Sequence, residues 1–364
     1  MAKASSNRVP SIWSGISWAL APVSGDLGFR LQLASRAARG ALWHGKAMRR
    51  WMAMVVELRS RGIITDMRAE YLRAVQPYVN SGTGMTTRVV QLIDHADWLE
   101  TALKPAAFQR MVSGKTLILA NLPPPKGYEY MRLHLERAPV QSPEGDLLLT
   151  LVLQRAQEVQ QKAAAMEVAQ LAFSRFRIEG MGCFVIGGVR GQRHPVLRLS
   201  QTELNQALSG WKPPVLMVRV AQELSLFWGL RLVGLDPERH PLHGRRSAKH
   251  REIAQQIDKS YSAIWKHFDA IRGEHGWMVV PLDSDDKLAA TALSPEKRAR
   301  QTRRADYWIR TRNMLRAAFA EHLNRLNPEV KLDGATVAHG PDTLGYRDSE
   351  AVSSILDTGP SSIQ

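Results

Sequence analysis

The stretch from Phe176 to Asp236 constrains the fold more than any other part of the chain. Its pattern predicts two strands closed by a tight turn, a short helix, a longer helix and a buried strand. Glycines cluster at the end of the second strand, at Gly187, Gly188 and Gly191. Strands that end at a glycine-rich loop facing a helix start often hold phosphorylated or anionic ligands. The stretch therefore predicts a candidate anion site within a fold of strands and helices.

The N-terminal third of the chain predicts helices. Asp26 is a candidate N-cap for a helix through Arg39, and apolar stripes with helical spacing follow over residues 48–58 and 86–103. Residues 1–25 show no sustained period, so we expect them to be loose. This part of the chain is predicted to be a helical region that follows a loose N-terminus.

After Gly114 the spacing of apolar residues changes from helical to strand-like, which marks the main internal boundary. Strands are predicted over residues 115–122, 127–136, 144–154, 167–178 and 182–189. Ser200 and Glu203 predict a capping box, and Ser294 and Pro295 begin a long helix. The predicted fold class is α+β, with N-terminal helices, a central, mainly antiparallel sheet with packed helices, and a long basic C-terminal helix. The predicted regions are a loose N-terminus (1–25), a helical region (26–110), an α+β core (111–326) and a disordered acidic tail (327–364).

Composition limits the compartment and the class of protein. The chain has 364 residues, of which 44% are apolar and 23% charged, as is ordinary for a soluble globular protein. Cys183 is the single cysteine, so no disulfide can form within the chain, and a reducing cytoplasm fits best. The apolar run Ile12–Val23 is interrupted by serines, Gly15 and Pro22, which argues against a signal peptide or a membrane span.

Positive charge is the strongest compositional feature. The formal net charge is +15. Six acidic and two basic residues from Glu329 onward give that segment a net charge of −4, which leaves +19 for the rest of the chain. A body this basic is expected to attract nucleic acid, anionic lipid headgroups, or phosphorylated cofactors and substrates.

Several separated segments resemble, in the family order, the motifs of the bacterial VirK/YbjX family. They are Arg88–Leu99 with His95, EGDLLLTL from Glu144, IGGVRG from Ile186, SQTELNQALSGWKPPVL from Ser200, YSAIW from Tyr261 and PEKRARQTRR from Pro295. Asp146 and Arg190 stand where the family pattern has glutamate and glutamine. The resemblance implies a cytoplasmic protein, or one peripheral at the inner membrane. It also implies a role in cell-envelope integrity, antimicrobial-peptide resistance or virulence, but no known catalytic residue.

The segment Cys183–Asp236 is also similar in outline to the acyl-CoA-binding half of GNAT-type acyltransferases. There, a strand with a splayed end pairs with the pantetheine arm, and amides at a helix N-terminus bind the pyrophosphate. The residues that would bind an acyl-CoA donor are Ile186, Gly187, Gly188, Val189, Arg190 and Gly191. The alternative is that the glycines form a β-bulge and a hairpin turn and bind no ligand.

An acyltransferase also needs a carboxylate or a histidine to take the proton from an acceptor amine or hydroxyl. The candidates are Glu144 and Asp146, at the start of a predicted buried strand, and His194, beside the predicted donor loop. The alternative for each carboxylate is an ion pair with a nearby arginine. Cys183 is predicted to be a core residue rather than a nucleophile.

Two basic clusters are candidate anion-binding surfaces. The first contains Arg245 and Arg246, and the second, on the predicted C-terminal helix, contains Arg298, Arg300, Arg303 and Arg304. A solvated charged face is the alternative for both. Near the first cluster, His240, His243 and His250 lack a matching carboxylate spacing, so we expect surface or phosphate-contacting histidines and no metal.

Three functions remain open from the sequence. The first is a GNAT-like acyltransferase with an acyl-CoA or other anionic donor. The second is a non-catalytic accessory protein that binds anionic lipid or an envelope partner, with peripheral membrane contact. The third is nucleic-acid binding, which no recognised motif supports. Oligomeric state does not follow from the pattern.

Overall fold

The predicted α+β class is confirmed by the computed structural model, which describes residues 10–21, 27–139, 142–155, 165–192, 199–244, 248–282 and 294–326. The helices are α1 (Ser14–Leu20), α2 (Leu27–Trp43), α3 (Gly45–Ser60), α4 (Met67–Arg73), α5 (Met85–Ala102), α6 (Pro105–Val112), α7 (Gln201–Ala207), α8 (Pro213–Trp228), α9 (Ala248–His267) and α10 (Pro295–His322). The strands are β1 (Leu117–Leu122), β2 (Tyr128–Arg137), β3 (Leu147–Arg155), β4 (Met166–Ile178), β5 (Met181–Gly191), β6 (Arg231–Leu235), β7 (Ile271–Arg272) and β8 (Trp277–Val279).

The strands form one sheet in the order β1-β2-β3-β4-β5-β6-β8-β7. Neighbouring strands are antiparallel except for β5 and β6, which pair in parallel from Cys183 with Arg231 to Ile186 with Gly234. A parallel pair needs a crossover, and the chain makes it through α7 and α8. The sheet is therefore mainly antiparallel, as predicted, with a single parallel step among its described strands.

Helices pack on the sheet through aromatic side chains. Phe173 of β4 stacks on Phe184 of β5 with ring centroids 4.3 Å apart, and Trp228 of α8 packs on both rings. The next residue of β4, Ser174, points to the opposite face, where its hydroxyl lies 2.7 Å from that of Tyr78. Helix α10 packs against β1 and α8. The centre of the sheet is thus covered on both faces.

Helix α5 takes the place of a missing strand beside β4. The pairing of β3 with β4 ends at Leu147 and Phe173, so the rest of β4 extends past its neighbour. There His95 of α5 accepts a hydrogen bond from the backbone N–H of Arg175 at 3.1 Å, and Asp94 forms an ion pair with the Arg175 side chain. These contacts satisfy a strand edge that would otherwise be open.

The N-terminus differs from the loose segment that we expected over residues 1–25. Within it, Ser14–Leu20 forms α1, and a Cβ atom added to Gly15 would lie 2.2 Å from the ring of Tyr71. The Tyr71 hydroxyl also donates to the carbonyl of Ile12 at 3.2 Å. A seven-residue helix has too little periodicity to be recognised, and contact with α4 stabilises it. The predicted tail, 327–364, lies outside the described residues.

Local capping signals are confirmed. Ser200 accepts from the Glu203 N–H and Glu203 reaches back to the Ser200 N–H, which completes the predicted capping box of α7. Pro213 and Pro214 begin α8, and Gly229 ends it in the left-handed conformation, with φ 65°. Among the described residues, no helix is both long and apolar enough to cross a bilayer.

The aromatic stack predicts a large stability change for Trp228→Ala. Removal of this buried indole leaves a cavity against Phe173 and Phe184, so the free energy of unfolding should fall by about 3–5 kcal/mol in urea denaturation. The control Ile271→Ala removes a side chain that is 69% exposed and should change stability by less than about 0.5 kcal/mol. Equal denaturation midpoints for the two variants would contradict this packing.

Candidate functional site

The pairing of β5 with β6 ends beside a β-bulge at Gly187. Ala172 of β4 pairs with Gly188 and Phe173 pairs with Ile186, so Gly187 is an extra residue on β5. A bulge bends its strand and increases the local twist. The pairing of β5 with β6 ends at Ile186, and residues 187–191 of β5 continue beside β4 alone. We call this divergence the fork.

Glu144 lies directly on the glycines of the bulge. A Cβ atom at Gly187 would lie 2.1 Å from the Glu144 carbonyl oxygen, and one at Gly188 would lie 2.5 Å from its Oε2 atom. These positions need glycine because another chain segment occupies the space of a side chain. The predicted bulge is therefore present, while the hairpin turn lies at Glu179 and Gly180 instead.

Two cationic or proton-bearing groups hold the Glu144 carboxylate at the fork. Arg190 of β5 forms an ion pair with Oε2, and His240 Nε2 lies 3.5 Å from Oε1. The Glu144 side chain is 11% exposed and that of His240 is fully buried. The backbone N–H of Leu242 donates to His240 Nδ1 at 3.3 Å, which places the proton of a neutral imidazole on Nε2, facing Glu144.

Tyr261 of α9 completes the group at the fork. Its hydroxyl accepts a hydrogen bond from the Val189 N–H at 3.0 Å, so this amide points away from β4 and into the fork. The ring packs edge-on against His240, with centroids 6.0 Å apart. Burial raises the pKa of the Tyr261 phenol, so the hydroxyl keeps its proton near neutral pH. We call Glu144, Arg190, His240 and Tyr261 the fork cluster.

An open groove of about 870 Å³ begins where β5 ends. Its walls are Gly191, Gln192, Leu199, Ser200, Gln201, Glu203, Leu204, Lys212, Pro213 and Pro214. The Gln192 side chain accepts from the Leu199 N–H at 2.7 Å and donates to the Leu199 carbonyl at 2.9 Å, which holds these two residues together. A groove of this volume suits a small organic ligand.

The helix N-termini beside the groove provide few free amides. The first turn of α7 is closed by its own capping box, and α8 begins with two prolines, which have no N–H. Lys212 instead places an amino group on the groove wall. An anionic ligand there would be bound mainly by side chains.

The basic cluster of α10 meets the connection between α7 and α8. A Cβ atom at Gly210 would lie 3.2 Å from Arg300 Nε, and the Arg304 guanidinium stacks over the Trp211 ring at 4.4 Å. Arg298 and Arg303 are exposed on the same helix. Two of the four predicted arginines, Arg300 and Arg304, therefore lie beside Gly210 and Trp211, the two residues that precede Lys212. His194, Arg245 and Arg246 lie outside the described residues.

Asp146 belongs to a second, drier polar cluster. It accepts hydrogen bonds from Arg73 at 2.6 Å, from Ser174 at 2.6 Å and from Tyr78, and His95 Nε2 lies 4.0 Å away. Arg73 also pairs with Glu70, which in turn binds Arg137. A cavity of about 30 Å³ between these residues has room for roughly one or two water molecules. This cluster ties the N-terminal helices to the sheet.

Sequence reasoning identified part of this arrangement. Glu144 lies in the fork cluster and Asp146 does not, and both carboxylates pair with arginine, as the alternative interpretation proposed. His240 was predicted to be a surface or phosphate-contacting histidine, and the first of these is wrong because its side chain is fully buried. Tyr261 was seen only as part of an apolar stripe. Cys183 is 1% exposed, which confirms a core position.

The histidines near the first basic cluster separate in the fold. His243 Nε2 lies 2.8 Å from Asp258, apart from the contacts of His240 with Glu144. Within the parts of the chain that the structure describes, no group of three or more His, Cys, Asp or Glu side chains is placed to hold a metal ion.

The fold and the fork define a mixed α+β protein with a split parallel strand pair. A family model described as "Protein of unknown function (DUF535)" matches residues 29–309. The chain therefore belongs to this family, which is the VirK/YbjX family that its motifs resemble. No curated protein and no solved structure matches the chain.

The contact of Glu144 with the bulge predicts opposite effects for two glycine substitutions. In Gly187→Ala the new methyl group meets a backbone carbonyl, so the free energy of unfolding should fall by about 1–3 kcal/mol. Gly191→Ala meets no atom within 4 Å and should leave stability unchanged or raise it by up to about 1 kcal/mol. Thermal and urea denaturation would test the pair, and equal losses would argue against the close approach of Glu144.

Asp146 predicts a pH-dependent term in stability. Burial raises the pKa of its carboxyl from 3.8 to about 6, so the native state disfavours the charged form. The stability of the wild type relative to Asp146→Asn should be highest below pH 3.8 and fall by about 3 kcal/mol as the pH rises to 6. Urea denaturation of both proteins from pH 3.5 to 7 measures this difference.

The comparison with Asp146→Asn also cancels the contribution of His95 to the pH dependence of stability, which has the opposite sign. Burial lowers the pKa of His95 well below 6.5, so stability from this residue is lost as the pH falls through that value. Both proteins contain His95, and the difference between them isolates the carboxyl. A difference that does not change with pH would contradict a raised pKa for Asp146.

Proposed function

We propose that this protein is an acyltransferase that uses an acyl-CoA donor, with transfer at the fork between β5 and β6. The observation that carries the proposal is the end of this parallel pairing beside the bulge at Gly187, with the fork cluster at that place. The segment Cys183–Asp236 resembles GNAT-type acyltransferases in outline, and in those enzymes the donor binds at a splayed strand end. The DUF535 match is compatible with acyl transfer, and the description of the family names no reaction.

The donor would lie along β5. An extended pantetheine arm would bind the backbone at the end of β5, at Arg190 and Gly191, where the strand is only partly buried. The groove that starts at Gly191 would take the arm's continuation. Lys212 and Arg300 would bind the phosphates, since the helix N-termini there have few free amides.

The fork cluster has the groups that acyl transfer requires. Glu144 would accept the proton of an acceptor amine or hydroxyl, with Arg190 and His240 holding the carboxylate in place. The acceptor atom would attack the thioester carbon, and the thioester oxygen would replace the Tyr261 hydroxyl as the acceptor of the hydrogen bond from the Val189 N–H. The C–S bond would then break, and the Tyr261 hydroxyl would give its proton to the leaving thiolate.

The proposal also includes the class of molecule that would accept the acyl group. The VirK/YbjX resemblance implies a role in the cell envelope or in virulence, which would make the acceptor an amine or hydroxyl of an envelope component or of a peptide. Acylation of an amine removes a positive charge, and acylation of either group adds apolar surface. Both changes alter how cationic peptides and membranes interact.

Calorimetric titration with acetyl-CoA and longer acyl-CoAs tests donor binding. We expect one molecule to bind per chain, and Gly191→Trp to abolish binding because its side chain would enter the open groove. Gly191→Ala is the matched control and should bind normally. Absence of binding by every acyl-CoA would remove the proposal.

Two further variants separate binding from chemistry. Lys212→Gln with Arg300→Gln should weaken acyl-CoA binding about tenfold or more, and should leave binding of S-acetylpantetheine, which lacks the phosphates, unchanged. Glu144→Gln should bind the donor and release free thiol about 10²–10⁴-fold more slowly in the presence of an acceptor amine. Full thiol release by Glu144→Gln would exclude Glu144 as the base.

A further inference from the structure

The first two helices expose large apolar side chains to solvent. Trp13 is 50% exposed, Leu27 62%, Leu31 54%, Leu42 62% and Trp43 70%. Single exposed apolar residues are common, but four on α2, together with Trp13 at the N-cap of α1, form a group that usually marks an interaction site. We call these five residues the N-terminal apolar face.

The backbone geometry brings these residues together. At 100° per residue, Leu27, Leu31 and Leu42 fall within about 60° of one another around α2. Trp43 lies about 100° further round the helix than Leu42, and the buried stripe through Ala37 and Ala41 adjoins the exposed leucines on the other side. The Cδ1 atom of Ile12 lies 3.7 Å from the position that a Cβ atom on Gly45 would take. Because Trp13 follows Ile12, the start of α1 lies near the junction of α2 and α3, just after Trp43.

The charge around this face has a single sign. From Leu27 to Val56 the chain has six basic residues, Arg30, Arg36, Arg39, Lys46, Arg49 and Arg50, and no acidic residue. Arg39, Lys46, Arg49 and Arg50 are exposed. The stretch of sequence that carries most of the apolar face is thus basic.

We infer that this surface docks on an anionic lipid bilayer. Apolar side chains of tryptophan and leucine would enter the boundary between headgroups and acyl chains, and the basic residues would contact headgroup phosphates. A bilayer requires only apolar area and positive charge on one surface, and both are present here. The surface shares no residue with the fork cluster, so this inference stands independently of acyl transfer.

Vesicle flotation tests the inference with the full chain. Vesicles of phosphatidylcholine with phosphatidylglycerol should bind the protein, and vesicles of phosphatidylcholine alone should bind it at least tenfold less. Binding should weaken in 0.5 M salt, because screening shortens the range of the headgroup charge. Equal binding to both vesicle types would overturn the role of charge and with it the inference.

Three variants locate the contact. Leu31→Ser/Leu42→Ser/Trp43→Ser and Arg39→Gln/Lys46→Gln/Arg49→Gln should each lose most vesicle binding while keeping the thermal midpoint, since all six side chains are exposed. The control, Ile309→Ser/Met314→Ser, removes exposed apolar residues from the basic helix α10 and should bind as the wild type does. Loss in the control alone would assign the membrane contact to α10 and overturn the inference.

A fluorescent label reports insertion directly. Ser35→Cys places a thiol on the exposed side of α2, whereas Cys183 is buried and burial raises the pKa of its thiol to about 11, which protects it from labelling. An environment-sensitive dye at residue 35 should shift to the blue with anionic vesicles, and one at Ile271→Cys should not. A dye that stays unchanged at residue 35 contradicts insertion. Dimers that form without vesicles and disappear in the Leu31→Ser/Leu42→Ser/Trp43→Ser variant would show that a second copy covers this face instead.

Discussion

The close approach of the segment Glu144–Asp146 to the sheet is the constraint on which the rest of the structure depends. A Cβ atom at Gly145 would lie 2.7 Å from the backbone of Phe173, and the Glu144 backbone presses on Gly187 in the same way. Because the segment leaves no room for side chains, the strand beneath it needs glycine. The bulge, the divergence of β5 from β6 and the position of the Glu144 carboxylate share this cause.

Two carboxylates separated by one glycine have different roles as a result. The Asp146 side chain points into a closed cluster with Arg73, Tyr78 and Ser174, where burial raises its pKa to about 6. Such a group joins the helical region to the sheet and has no access to a ligand. Glu144 points to the fork, where Arg190 and His240 balance its charge. The two carboxylates therefore differ in burial and in partners, and only Glu144 enters the proposed transfer.

Most elements of the fold could be predicted, and most of the site could not. The five strands from β1 to β5 and the long helices follow strong periodic patterns, and the capping box of Ser200 acts within one turn. Helix α1 is too short for such a pattern and depends on Tyr71. His240 lies in a polar, basic stretch that predicts exposure, and only its contact with Glu144 and Tyr261 explains its burial.

The sequence by itself determined the α+β class, the order of helices and strands, the family and the basic character of the surface. These properties depend on neighbours a few residues apart, or on composition. The tertiary structure alone decided that Glu144, His240 and Tyr261 meet at one fork, although about a hundred residues separate the first from the other two. It also decided that Leu31 and Trp43 stay exposed while Ala37 is buried. Burial and long-range contact depend on which surfaces pack together, and no local pattern records that.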